Sequence, residues 1–264
     1  MKKLIFTLNL LLCSTALSAA DTQFIISPAF LHFDYTEFST SDQVLNSETG
    51  WLPGVEARFD HTFANDWLAS IYTSFFRSMV NYDGQTQSGT PHTTDTGTEF
   101  FRLGAQLEKI IIKNTGLFVS VQSHQWERDI HDNNNISGIT ESYQWLEYSA
   151  GINYRYSIND KDNLKLNAGL LITRNAEIYV DLSRVNLGST TLDIGDGTGA
   201  RLKLDWNRQH NETMRYGLGL FFEGWDFGRS NTKATEGGSN IVYVTEPRSE
   251  TRNIGLMFNF IYLI

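Results

Sequence analysis

Cysteine is almost missing from this chain: there is one in 264 residues, Cys13, and it falls within the first twenty. Beyond residue 20 the chain has no thiol and so no disulfide, and its fold rests on backbone hydrogen bonds and packing. Proline is nearly as scarce, with four residues. No low-complexity linker breaks the chain, and no internal repeat appears beyond a hairpin rhythm, which argues for one domain. Beyond the N-terminal segment no run of 18 apolar residues exists, so no transmembrane helix is expected. Positive charge is in deficit, with a formal net charge of −9. That acidity argues against a nucleic-acid partner and against a basic membrane-surface protein. The six histidines show no metal-ligand spacing, and neither metal nor cofactor is expected.

What is present begins with an address. Lys2 and Lys3 precede an apolar run at 4–12 and small residues ending at Ser18-Ala19-Ala20. This is the pattern of a secretory signal peptide cut before Asp21. Leu10-Leu11-Leu12 stand ahead of Cys13, where a lipoprotein anchor needs a small residue, so that reading is rejected. The expected organisation is a signal peptide at 1–20 and a single exported domain at 21–264. Cleavage removes two lysines and no acid, moving the formal charge from −9 to −11.

From residue 51 onward, apolar and polar residues alternate in stretches of about ten, the length that crosses a membrane as a tilted strand. Trp51, Pro53, Val55, Ala57 and Phe59 face one way while Gly54, Glu56, Arg58 and Asp60 face the other. Phe101, Leu103, Ala105 and Leu107 likewise alternate with Arg102, Gly104, Gln106 and Glu108. A strand puts successive side chains on opposite faces, so each stretch has one greasy and one charged face. Combined with the export signal, this predicts an all-β, antiparallel, up-and-down transmembrane β-barrel. Strands are expected near 23–35, 51–63, 66–80, 98–111, 116–129, 143–157, 163–174, 199–208, 213–228 and 249–264. That count is ten, and a merged or missed hairpin gives eight or twelve. Short turns at Ala64-Asn65, 112–115, 158–162 and 209–212 alternate with long polar loops at 36–50, 81–97, 130–142, 175–198 and 229–248. In outer-membrane barrels the short turns are periplasmic, so both termini are expected there.

The final stretch alternates Ile254, Leu256, Phe258, Phe260, Tyr262 and Ile264 with Asn253, Gly255, Met257 and Asn259. It resembles the C-terminal strand signature by which outer-membrane barrels are recognised by the insertion machinery, with Ile264 where Phe or Trp is usual. Trp51, Phe63, Trp67, Tyr154, Tyr156, Trp206 and Tyr216 gather near strand ends, as in aromatic girdles. The exported part resembles the small outer-membrane barrels that include OmpA-type membrane domains, opacity-type proteins and omptins. The tracts 81–89 and 126–130 resemble small barrels of proteobacteria. The resemblance implies outer-membrane lipid and lipopolysaccharide as surroundings and brings no functional residues.

Inward-facing charges form the first candidate site: Glu56, Arg58, Asp60, Arg102, Glu108, His124, Arg128, Glu147, Arg155, Lys165, Arg201, Lys203, Asp205, Arg215 and Glu223. Both signs are mixed, and a ten-stranded lumen is narrow, so a cross-paired plug is expected over a water-filled channel. Catalysis has one candidate, Asp129 and His131, an i, i+2 acid–histidine pair like that of omptin proteases, with Asp83 as part of a second acid pair. The omptin Asp-x-Asp is absent, since Gln85 stands two beyond Asp83. Ser123 and His124 are adjacent and therefore on opposite faces. Asp193-Ile194-Gly195-Asp196-Gly197 lacks the length and terminal Glu of a calcium loop and reads as a turn. The apolar residues Ile178, Val180, Leu182, Val185 and Leu187 of the fourth loop either extend strands above the membrane or fold over the mouth. The expectation is a non-enzymatic structural or surface-interaction role through the loops, with an unidentified extracellular ligand. A narrow solute channel and an omptin-like hydrolase are the alternatives.

Overall fold

The computed structural model describes residues 22–63, 66–86, 89–133, 136–237 and 240–264. The expected signal peptide and the Ala64-Asn65 turn lie outside them. The strands are β1 (Thr22–Phe38), β2 (Val44–Phe63), β3 (Trp67–Gln85), β4 (Pro91–Ile112), β5 (Thr115–Ile130), β6 (Thr140–Ser157), β7 (Asp162–Asp181), β8 (Thr190–Asp193), β9 (Thr198–Gln209), β10 (Met214–Phe227), β11 (Lys233–Gly237), β12 (Asn240–Val244) and β13 (Arg248–Leu263). β1 to β7 run in sequence as antiparallel neighbours, β7 pairs with β9, β9 with β10, β10 with β13, and β13 with β1. The sheet therefore closes on itself and leaves no open edge. Ten strands form the wall. β8 extends it locally beside β7, and β11 with β12 makes a separate hairpin at the loop end.

The wall changes character along its height. Toward the turn end, Phe24, Ile26, Leu103, Leu107, Tyr148, Ile152, Leu204, Leu218 and Phe258 point outward and are exposed, while Glu108, Arg102, Asn153 and Asn259 point inward and are buried. Apolar side chains stay on the outside only where the surroundings are themselves apolar. The belt ends at a ring of outward charges: Asp34, Glu127, Asp226 and the ion pairs Arg77–Glu99 (3.5 Å), Arg174–Asp196 (2.9 Å) and Arg252–Glu250 (3.0 Å). From that ring upward the pattern inverts, with Tyr35, Val80, Trp126 and Tyr143 buried inside and Asn81 and Asp83 outside. There the barrel has the apolar-in, polar-out pattern of a soluble one.

This inversion explains why the observed strands run past their expected ends. The 36–50 connection shrinks to 39–43, because Glu37, Asn46 and Glu48 keep the inward parity of their strands and hydrogen-bond inside. In β7 a bulge at the ladder position opposite Gln144 and Leu146 inserts one residue, with Asn175 at φ 52°. An inserted residue flips the parity of every later position in the strand. Thr173 faces inward before the bulge, and Ala176, Ile178 and Val180 face inward after it. Two glycines matter in the wall: Gly151 and Gly169 are cross-strand partners, and the ring of Phe118 fills the space a Cβ on either would need.

Candidate functional site

The lumen is built in storeys. Nearest the turn end, Arg58 meets Asp60 at 2.6 Å and Ser70 at 2.7 Å. Arg155 holds Glu108 in two parallel bonds of 2.6 and 2.8 Å, and Asn153 donates to the same carboxylate at 2.7 Å. Lys203 reaches Glu56 at 3.3 Å, while Asn259 donates to Asp205 at 2.9 Å. Above them, Arg102 pairs with Glu223 at 2.6 Å and Arg201 bridges Glu147 (3.0 Å) and Glu223 (3.3 Å). His124 sits 3.2 Å from Glu147. Two residues depart from the expected acid–base pairing: Lys165 makes no ion pair, and Arg215 donates to the neutral amide oxygen of Gln209 at 2.7 Å.

The charges do not fill the lower lumen. A cavity of about 550 Å³ opens among the turn-end residues Gln23, Asn159 and Gln209 and rises to Phe76, Arg102 and Glu223. The cross-paired charges therefore stand beside an open cavity at the turn end, below the aromatic layer. Paired charges hold each other against the wall, and that leaves the axis open.

The seal is aromatic. Trp126 packs on Tyr143 (4.5 Å between ring centres), Phe100 (5.2 Å) and Tyr35 (5.0 Å), and Phe33 packs on Phe100 at 5.4 Å. Trp145 stacks on His124 at 4.4 Å and meets Phe227 at 5.2 Å. Both tryptophans are buried, and the rings meet at the offset and edge-to-face angles that aromatic side chains favour.

Above the aromatic layer, outside the apolar belt, lies a buried charge cluster. Arg128 extends from β5 across the lumen to β1 and β2, with Nη1 donating to Glu37 (2.9 Å) and to Glu141 (2.6 Å), and Nε to Glu48 (2.7 Å). Glu246 comes down from the loop before β13, accepting from the Tyr143 hydroxyl at 2.7 Å. Four carboxylates thus surround one guanidinium. Burial, together with the negative charges of Glu37 and Glu141, pushes the Glu246 carboxyl well above the usual range. Burial also raises Glu48 and Glu141, in spite of the Arg128 charge that opposes it. Arg128 itself is raised well above its ordinary value: burial works against it, but Glu48, Glu141 and Glu37 outweigh that. Apolar residues of the 175–198 segment and of β12 pack at this loop end. Leu182, Leu192, Ile194 and Val244 are buried, with Val185 and Leu187 packed against them.

The catalytic candidates lie elsewhere. Asp129 and Asp83 have the outward parity of β5 and β3 and face away from the lumen. His131 Nε2 is 3.9 Å from Asp129, both half-exposed, and Arg184 holds Asp129 at 2.7 Å. Ser123 is outward and exposed while His124 is inward and buried. Asp193 and Asp196 are engaged by Lys233 (3.4 Å) and Arg174 (2.9 Å). No group of three or more potential metal-ligating side chains is found among the described residues.

Glu37, Glu141 and Glu246 were not apparent as site residues, because the sequence pattern puts them in loops. The usable signal is parity, since Glu37 is two residues beyond inward Tyr35 and Glu141 two before inward Tyr143.

No family model and no curated protein matches the chain. Among solved structures, the outer membrane protease OmpT from Escherichia coli superposes with a TM-score of 0.60 at 8% identity, covering 95% of this chain and 99% of that one. OprG from Pseudomonas aeruginosa gives 0.40 at 11% identity, covering 92% and 95%. Neisserial surface protein A gives 0.38 at 10%, covering 91% and 97%. The likeness to the first is one of fold: a closed antiparallel barrel of the outer-membrane type.

Proposed function

We propose that this protein is a sealed, non-enzymatic barrel of the outer membrane, with its turns in the periplasm and its capped loop end as the working surface. The observation that carries this reading is the dry aromatic layer around Trp126, topped by the Arg128 cluster. A bore closed by fully buried rings and a cross-lumen guanidinium passes no solute. The loop end remains available to the outside, where Ile241 and Tyr243 of β12 are exposed and suit contact with an extracellular partner. Outer-membrane lipid and lipopolysaccharide are the natural surroundings of the belt, and the β13 pattern is the handle for insertion.

A hydrolytic role has little support from the candidate residues. Asp129 is committed to Arg184, its pairing with His131 is loose, and Asp83 faces outward two strands away. A likeness of fold to a protease carries no chemistry with it. Epitopes inserted after Asp42 and within the 228–232 connection should be detected on intact cells, and one at Asn159 only after permeabilisation. The purified protein should cleave peptides no faster than its Asp129→Asn/His131→Ala variant. Surface detection of the Asn159 tag would invert the orientation, and cleavage lost in that variant would establish the hydrolase.

A further inference from the structure

Most of the vestibule's cations are held by acids of the wall, Arg155 by Glu108 and Arg201 by Glu147 among them. Among its walls, Asp60 is paired with Arg58, Glu56 and Asp205 with Lys203 (3.3 and 3.9 Å), Asp162 with Arg208 (3.6 Å) and Glu223 with Arg102 and Arg201. Three lining cations have no carboxylate within ion-pair distance among the described residues: Lys161 at the rim, Lys165 and Arg215. Lys165 of β7 makes no ion pair, and Arg215 of β10 is met by the neutral Gln209. Both line the cavity. They flank β9 at two depths, because Lys165 lies opposite Asp205 and Arg215 opposite Gln209, four residues nearer the mouth. Asn163, two residues from Lys165 on the same face, lines the cavity as well. At the turn-end rim Asp160 and Lys161, neighbours in sequence, also line the cavity.

We propose that the vestibule is a binding site for small organic or inorganic anions, reached from the turn end, with a carboxylate or phosphate group seated on Lys165 and drawn in past Arg215. Asp60 and Glu108 act on the Lys165 ammonium only from beyond ion-pair distance, which leaves its donors open to an anion in a low-dielectric wall. The cavity, at about 550 Å³, is of the size that small-molecule sites have. The closed sheet admits no lipid headgroup from the side, and the aromatic layer closes the far end. The ligand is therefore a soluble molecule from the aqueous space at the turns.

The test uses the folded full-length barrel in zwitterionic micelles, titrated calorimetrically with inorganic phosphate and with succinate at fixed ionic strength. Saturable binding at one site is expected. Lys165→Met should weaken it about tenfold, the worth of one charge-assisted bond, and Arg215→Gln by a smaller factor. Asn163→Asp, which sets a carboxylate beside Lys165 without removing any cation, should abolish binding in a protein that keeps its heat-modifiable band. The outward Arg252→Gln should bind as the wild type does. Absence of saturable binding in the wild type would overturn the proposal. So would equal affinity in the wild type and in Lys165→Met or Asn163→Asp.

Discussion

Replacing Arg128 by methionine isolates the energetics of the upper lumen. The side chain makes three charge-assisted bonds, of 2.9, 2.6 and 2.7 Å, to Glu37, Glu141 and Glu48. Its partners are nearly or fully buried. Truncation strands three carboxylates without their cation, and breaking a buried pair in this way costs about 3–5 kcal/mol. The loss depends on pH with a definite sign. Burial already holds Glu48 and Glu141 above the ordinary carboxyl range, and removing Arg128 raises them further. A carboxyl raised in the folded state binds its proton more tightly there than when unfolded. The variant therefore loses stability as pH climbs from the ordinary carboxyl range through the raised value. Urea unfolding from phosphatidylcholine vesicles should show the full deficit at about pH 8 and a much smaller one at about pH 5. Adding Glu48→Gln and Glu141→Gln to Arg128→Met should restore most of the loss, since the strain is charge rather than shape. A deficit below about 1 kcal/mol, the value of an exposed pair, and equal at both pH values, would refute the reasoning.

Glu246 has no guanidinium bonded to it and is held neutral by burial and by Glu37 and Glu141, so its contribution is present at low pH and lost as pH rises. The amides of Ser230 and Glu246, bonded within the same loop at 3.0 and 2.7 Å, should lose exchange protection with rising pH in the wild type. Glu246→Gln should flatten that slope, and an unchanged slope would rule out Glu246 as its cause. On the outer wall, Leu103→Arg lies inside the apolar belt and should cost about 2–4 kcal/mol. Asn81→Arg, above it, should cost within about 0.5 kcal/mol, as an ordinary surface change does, and equal costs would mean that the belt is misplaced.

The belt and its strand directions were legible because lipid-facing strands alternate cleanly, as from Phe101 to Leu107. The upper barrel was less legible for a physical reason. Once water replaces lipid outside, the greasy outer face that marks a strand is lost, and Glu37 or Thr49 reads as part of a loop. In β7 the slip at Asn175 breaks the period of two, so Ile178 and Val180 look like loop residues although they continue the wall. The inward charges are visible one by one through parity. Which acid each cation finds is decided by side-chain reach across the lumen, as with Arg128 from β5 to Glu48 on β2. The vestibule arises from pairings along the wall that only three dimensions provide.

Closure of the bore by the aromatic layer and the Arg128 cluster is tested most directly by single-channel recording of the purified barrel in planar bilayers. The wild type should show no steady conductance, and Trp126→Ala combined with Arg128→Ala, which empties both storeys at once, should open one. A reproducible, steady conductance in the wild type would contradict the seal.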